Sequence, residues 1–182
     1  MLDSRRIAVL AACGALLFSQ MPPAAAAEEF SPYGTAKAGT RNYSPMKYVL
    51  ESSTFEPAAV GDVFRIATQA LSNSPAGSQV TVVIIGPGIR IFAKENYEKY
   101  QAIVERAAEL VRDKGVKIIY CGESMKGAGY AASDMHGLGE VVPGGYVEIA
   151  DLVGKGYVNI RPSEMLLRTK AVRYLEHPEL KK

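Results

Sequence analysis

The 182-residue sequence predicts an α/β fold with three layers, in which helices cover both faces of a mostly parallel, five-stranded sheet. Segments with a strand pattern alternate along the chain with segments of helical periodicity, and this alternation is typical of βαβ units. One strand segment, QVTVVIIGPG at residues 79–88, is apolar almost throughout, as a parallel strand covered on both faces requires. Right-handed connections between such strands place helices on both faces of the sheet.

The first half of the predicted domain contains two strands and two helices. MKYVLES at residues 46–52 predicts the first strand, and residues 54–73 have the apolar periodicity of a helix. The strand in residues 79–88, which ends in a glycine-rich turn, follows, and then a helix at Tyr97–Lys114 that Gly115 ends at its C-cap. We expect the inner faces of the two helices to consist of Val60, Val63, Phe64, Ala67 and Leu71 and of Tyr100, Ile103, Val104, Ala107, Leu110 and Val111.

The second half supplies the other three strands of the domain, which we place at residues 46–162. VKIIYC at 116–121 predicts the third strand, and a helical turn is expected at 123–128. GEVVPGG contains a short fourth strand, a helix follows at Gly145–Gly154, and GYVNIRP at 156–162 predicts the fifth strand.

Two segments precede this domain. Residues 1–27 have the organisation of a cleaved signal peptide: a basic start, an apolar run too short to span a bilayer, and small residues before a cleavage site near Ala27. LAAC, which ends at Cys13, is an alternative lipoprotein processing site, but the apolar run ahead of it is short for that role. Residues 28–45 contain prolines and glycines without periodicity and predict a flexible leader. We therefore expect export to the periplasm.

One segment follows the domain. Residues 163–182 have a helical pattern to about residue 176 and predict a C-terminal helical tail. Its apolar side chains, which include Met165, Val172 and Leu175, are expected to pack on the domain or on a neighbouring subunit.

Charge and motifs exclude several classes of partner. The formal net charge is only +2 and no basic cluster is present, which argues against nucleic acid as the main partner. No segment after the signal peptide has the run of about 18 apolar residues that a membrane span needs. The sequence has neither a Walker motif nor a G-x-G-x-x-G between a strand and a helix, so no cofactor is predicted. The two histidines lack ligand spacing and no C-x-x-C is present, so no metal site is predicted either.

Cys121 is the main candidate for chemistry. Removal of the signal peptide leaves it as the single cysteine, so it cannot form an internal disulfide bond. It ends a strand just before a helical turn, whose free amides favour a thiolate, and Gly122 and Lys126 are predicted to contribute to binding there. Glu123 opposes this effect because a nearby carboxylate disfavours a second anion. We expect its thiol to be accessible at the sheet rim in the folded protein; the alternative is that Cys121 is a small, buried core residue.

Two other loops contain weaker candidates. In GPGIR at residues 86–90, the amides of Gly86 and Gly88 together with Arg90 are suited to an anionic ligand, although Gly-Pro-Gly also makes a sharp turn without any ligand. His136 in SDMHGLG is either a base or metal ligand above the sheet or an exposed loop residue, and the exposed position is the default.

Three segments in order carry a family resemblance. VTVVIIGPGI, GVKIIYCGESMKGAGY and GEVVPGGYVEIADLVGKGYVNIRP resemble the DsrE/DsrF-like family, and the resemblance extends over residues 46–162. It implies a homo-oligomer, a trimer or hexamer, and a role in sulfur relay in which the cysteine matched by Cys121 carries a persulfide between a donor and an acceptor protein. The chain departs from the sulfur-relay members in its predicted export and in its extra C-terminal helix.

These observations lead to two hypotheses about function. The first is a periplasmic sulfur carrier, or a component of a sulfur relay, that uses Cys121 and resembles a sulfurtransferase. The second is a non-catalytic oligomeric module that binds a small molecule or a protein at the sheet edge and in which Cys121 is structural.

Overall fold

The computed structural model describes residue 36 and residues 38–162. The contacts divide the chain into two units, Met1–Thr40 and Arg41–Lys182. In the first unit, only residues 36 and 38–40 are described, and they contain no helix or strand. The predicted signal peptide with Cys13, the first residues of the predicted leader and the predicted C-terminal tail lie outside the described residues.

The described residues of the second unit, 41–162, contain five strands in one sheet. In chain order these are β1 (Lys47–Ser52), β2 (Gln79–Ile84), β3 (Lys117–Cys121), β4 (Glu140–Val142) and β5 (Val158–Ile160). Their order in the sheet is β4-β3-β2-β1-β5, and all four neighbouring pairs are parallel. The predicted α/β fold with a parallel five-stranded sheet is therefore confirmed.

Four α-helices connect the strands: α1 (Pro57–Asn73), α2 (Tyr97–Lys114), α3 (Gly122–Ala128) and α4 (Gly145–Gly154). Pro57 opens α1, where its missing amide costs no hydrogen bond. Gly115 ends α2 with a φ of 66°, a left-handed conformation that glycine adopts without strain. The bounds of α2 and α4 are those that the sequence predicts, and within residues 36–162 no helix is long and apolar enough to cross a bilayer.

The strand within residues 79–88 ends before the predicted glycine-rich turn. β2 ends at Ile84, and the turn residues belong to a 3₁₀ helix, Gly86–Phe92. Gly86 begins that helix with a φ of 60°, which breaks the strand, and Gly88 is buried against backbone. A Cβ atom on Gly88 would lie 2.6 Å from the carbonyl oxygen of Thr54, so only glycine fits this close approach. Two further 3₁₀ turns cover Lys94–Asn96 and Ala132–Asp134.

The strand order determines which helix covers which face. Successive right-handed crossovers from β1 to β2 and β3 place α1 and α2 on one face, and the return from β4 to β5 places α4 on the other. We call them the two-helix face and the α4 face. The larger core cluster lies under the two-helix face and includes Leu50, Phe64, Val82, Val104, Ile118 and Tyr120. The smaller one joins α4 to the sheet and consists of Val49, Val83, Ile85, Ile119, Cys121, Ile149 and Leu152.

Candidate functional site

Cys121 lies where β3 meets α3. It is the last residue of the strand and the N-cap of the helix, so its backbone changes direction at the carboxyl edge of the sheet. Gly122 permits the tight junction, because a Cβ atom there would lie 2.8 Å from the carbonyl oxygen of Val142. The sequence prediction of a cysteine at a strand end just before a helical turn is confirmed.

The first residue of α4 covers the sulfur. The backbone amide of Gly145 donates a hydrogen bond to Cys121 Sγ over 3.2 Å. A Cβ atom at this position would lie 3.3 Å from Sγ and 2.4 Å from Cγ2 of Ile85. The absence of a side chain therefore allows the start of α4 to contact the sulfur directly, a role for Gly145 that the sequence analysis did not assign.

Ser124 connects this site to the neighbouring strand end. Its Oγ accepts a hydrogen bond of 2.7 Å from the backbone amide of Gly86, and its hydroxyl lies near the Cys121 thiol and lowers the pKa of that thiol. Ser124 is not among the site residues that the sequence predicts. Its position in the first turn of α3, three residues after the cysteine, is the signal that identifies it, since N-cap side chains meet that position.

Opposing effects set the pKa of the Cys121 thiol. Burial raises this pKa, but hydrogen bonds from the Ser124 hydroxyl and from the backbone amides of Ser124, Gly145 and Glu123 outweigh burial, so that the pKa is lowered. Dipoles at the starts of two helices, rather than a cationic side chain, are therefore what favour the thiolate.

The thiol is not open to solvent in the single chain. Cys121 is 5% exposed and packs in the small cluster with Ile85 and Ile149. The expectation of an accessible sulfur at the sheet rim is thus wrong for the isolated chain. The physical reason is α4, whose first turn closes over the end of β3.

Several residues that were predicted to form a binding site with Cys121 contact other groups instead. The Gly86 amide is occupied by Ser124, and Gly88 packs against Thr54. Lys126 is exposed and forms an ion pair of 2.8 Å with Glu123, which raises the pKa of Lys126 and neutralises the carboxylate that sequence reasoning expected to oppose a thiolate. Of the glycines predicted to bind, Gly86 is thus tied to the site through Ser124, and Gly122 adjoins the cysteine.

Arg90 belongs to the 3₁₀ helix rather than to an open turn. Its side chain is exposed, and its carbonyl oxygen accepts a hydrogen bond of 2.9 Å from Asn96 Nδ2.

His136 is half-buried, so its default assignment as an exposed loop residue is wrong. Its backbone amide donates to the carbonyl oxygen of Phe92 over 3.1 Å, and its ring packs edge-on against Tyr97 at 5.3 Å. Burial, with a smaller effect from Lys94, lowers the pKa of His136. Among the residues described by the structure, no three His, Cys, Asp or Glu side chains are grouped as a metal site would require.

Comparisons with known proteins agree with this architecture. The model of the DsrE/DsrF-like family matches residues 48–162, well over half of the chain. A solved structure of MTH1491, a protein of unknown function from Methanobacterium thermoautotrophicum, is similar with a TM-score of 0.56 at 19% sequence identity. The match covers 64% of this chain and 99% of that one, and it shows a shared fold. No curated protein matches the chain significantly.

Proposed function

The chain belongs to the DsrE/DsrF-like family, and from this we propose that it is an exported sulfur carrier whose Cys121 holds one sulfane sulfur atom as a persulfide. The contacts of Cys121 Sγ support this proposal best. The sulfur lies at the carboxyl end of a parallel strand, where ligands bind in open α/β sheets, and the amide of Gly145 and the hydroxyl of Ser124 both stabilise its thiolate. A thiolate is the form that attacks sulfur.

Transfer of a sulfane sulfur atom from a donor persulfide to Cys121 needs no oxidant. The Cys121 thiolate attacks the outer sulfur of a donor persulfide, the new bond forms between Sγ and that sulfur, and the donor's S–S bond breaks. The donor leaves as a thiolate with the bonding electron pair and takes up the proton that Cys121 released. A second, identical displacement passes the sulfur atom to an acceptor thiolate. The hydrogen bonds that stabilise the Cys121 thiolate are also suited to a persulfide anion.

Access to the sulfur requires the start of α4 to move. Gly144 and Gly145 have no side chains to hold this turn, and its contact with Sγ is the hydrogen bond from the Gly145 amide. We propose that binding of the donor or acceptor protein shifts this turn and opens the sulfur.

The proposed assembly is a homo-oligomer, a trimer or hexamer. The outer surface of α4 supports it, because the apolar side chains of Tyr146, Val147 and Val153 are exposed there, and Val141 is exposed on the preceding strand. A native mass equal to that of a single chain, measured by light scattering, would contradict the proposed assembly.

The proposed location is the periplasm, after removal of residues 1–27. N-terminal sequencing of the exported protein is expected to begin at Glu28. A mature chain that begins at a lipid-modified Cys13 would replace this proposal with a lipoprotein.

The decisive experiment measures sulfur on the folded protein. After incubation with cysteine persulfide, mass spectrometry of the native protein is expected to show one added sulfur atom on Cys121, located by peptide mapping. Cys13→Ser retains this gain and Cys121→Ser loses it. A thiol that reacts only after denaturation would sink the carrier hypothesis.

That same outcome favours a second candidate, a non-catalytic oligomeric binding module. The observation in its favour is the burial of Cys121 among apolar side chains of the small core cluster. If Cys121→Ala leaves assembly intact and the wild type has no sulfur reactivity to lose, the cysteine is structural.

A further inference from the structure

A second concave region lies on the α4 face, away from Cys121. It is a groove of about 550 Å³ between α4 and the early residues of the strands, within the size range of ligand pockets. Ile119 and Leu152 form its apolar part. Its polar lining consists of Lys47, Thr81, Lys117, Glu140, Glu148, Lys155 and Tyr157. The proposed sulfur chemistry uses none of these residues.

Thr81 is the buried polar group of this groove. It is only 1% exposed and lines the groove. It sits in the middle of β2, with Val49 on β1 and Lys117 on β3 as its cross-strand neighbours. A hydroxyl beside Lys117 is suited to a hydrogen bond with an anionic group of a ligand.

The basic side chains gather at one end of the groove. Lys47 begins β1 and Lys117 begins β3, so both lie where the strands start, and Lys155 follows the end of α4. Lys155 is paired with Asp151, whereas Lys117 has no ion pair within the part of the chain that is described. Lys47 lies over the ring of Tyr157 at 5.7 Å. This end therefore offers two lysines to an anionic group.

The acidic side chains lie further along the strands. Glu140 is level with Ile119, two residues beyond Lys117 along β3, which corresponds to about 7 Å. Glu148 is in the first turn of α4, the helix that begins beside Cys121. Neither glutamate forms a salt bridge with another described residue, although Glu148, after Asp151, also raises the pKa of Lys155. The groove therefore presents carboxylates along its length and the ammonium groups of Lys47 and Lys117 where the strands start.

We propose that this groove binds a zwitterionic di- or tripeptide. Its carboxylate contacts Lys47 and Lys117 and accepts a hydrogen bond from Thr81, and its ammonium group contacts Glu140 and Glu148. An extended peptide spans about 3.3–3.6 Å per residue, so two or three residues bridge the roughly 7 Å or more between the two charged ends. Ile119 and Leu152 contact the peptide between its termini.

Calorimetry with the full chain tests the proposal, with trialanine and triglycine as probes. We expect at least one of them to bind, and N-acetyl-trialanine and trialanine amide each to bind on the order of tenfold more weakly, the effect of one charge-assisted hydrogen bond. Lys117→Gln, Glu140→Gln and Thr81→Val should each weaken binding by a similar factor. Lys114→Gln and Glu98→Gln, at exposed positions on α2, are the matched controls and should bind like the wild type.

The outcomes separate this groove from the sulfur site. No sulfur donor is present, so the result does not depend on whether Cys121 reacts. Absence of binding by both peptides at millimolar concentration would overturn the proposal, as would equal loss in the control variants. If Lys117→Gln instead breaks an oligomer of the protein in light scattering, the groove is an interface between copies of the chain and the peptide assignment is wrong.

Discussion

The two faces of the sheet are built differently. On the two-helix face, α1 and α2 have 17 and 18 residues and bury the large cluster that contains Phe64, Phe92 and Tyr120. On the α4 face, one helix of 10 residues covers the same sheet, and its core cluster is small. Cys121 and the groove with Thr81 both belong to the α4 face.

We infer from this difference that the two faces of the sheet have different roles. A parallel sheet needs apolar cover on both faces, but one short helix leaves part of the second face open. Polar groups then occupy that part, and the amide of Gly145 at the start of the same helix donates a hydrogen bond to Cys121 Sγ. We therefore expect substitutions on the two-helix face mainly to change stability, and substitutions on the α4 face mainly to change chemistry and binding.

The largest loss of stability is expected for Phe92→Ala. Phe92 is fully buried on the two-helix face, with ring centroids 5.8 Å from Phe64 and 6.0 Å from Tyr120. Its removal should cost about 3–5 kcal/mol of unfolding free energy in urea denaturation. Leu152→Ala on the α4 face, where Leu152 is 8% exposed, should cost about 2 kcal/mol. A larger loss of unfolding free energy for Leu152→Ala than for Phe92→Ala would contradict the expectation that the two-helix face contributes more to stability.

Gly145→Ala is expected to affect both stability and the thiol. The added methyl group meets Ile85 and Cys121 and pushes the start of α4 away, which should cost about 1–3 kcal/mol and remove the hydrogen bond to Sγ. The pKa of Cys121 should therefore rise. Gly154→Ala is the control in the same helix, because a Cβ atom there meets nothing within 4 Å. Equal effects of the two substitutions would show that helix propensity, not the contact with sulfur, is responsible.

Ser124→Ala should raise the pKa of Cys121 with a smaller loss of stability. The Gly86 amide loses its acceptor, at a cost of about 1 kcal/mol, and the thiolate loses a hydroxyl donor. Titration of the Cys121 Cβ resonance by NMR, in a Cys13→Ser background, measures the shift, with the exposed Ser133→Ala as control.

The Cys121 thiol should also make the free energy of unfolding depend on pH, and the direction of this dependence follows from its lowered pKa. Because the folded state lowers the pKa of Cys121 from 9.0, the thiolate contributes stability that is fully present above pH 9.0 and is lost as the pH falls through the folded value. As the pH rises through this window, the free energy of unfolding of the wild type should therefore increase relative to that of Cys121→Ser. A difference that stays constant with pH would exclude a stabilised thiolate.

The sequence predicts the fold well because local patterns determine it. Strand and helix periodicity located all five strands and the bounds of α2 and α4, and the strand-end position of Cys121 followed from the same patterns. The burial of Cys121 did not follow, because it depends on where α4 packs after the chain returns across the sheet. The sequence does not identify Ser124 or Thr81 for a related reason: Ser124 contacts Gly86, 38 positions away in the sequence, and Thr81 lines a groove between α4 and the strands.

The smallest loss of stability is expected for the charged residues of the groove. Lys117 and Glu140 are exposed and form no ion pair among the described residues, so Lys117→Gln and Glu140→Gln should each change the free energy of unfolding by less than about 0.5 kcal/mol. Denaturation in urea without peptide measures this. Because the same substitutions should weaken peptide binding strongly, they test whether the open part of the α4 face serves binding rather than folding. A loss of stability as large as that of Leu152→Ala would make these side chains part of the structural cover, and the contrast between the two faces would no longer hold.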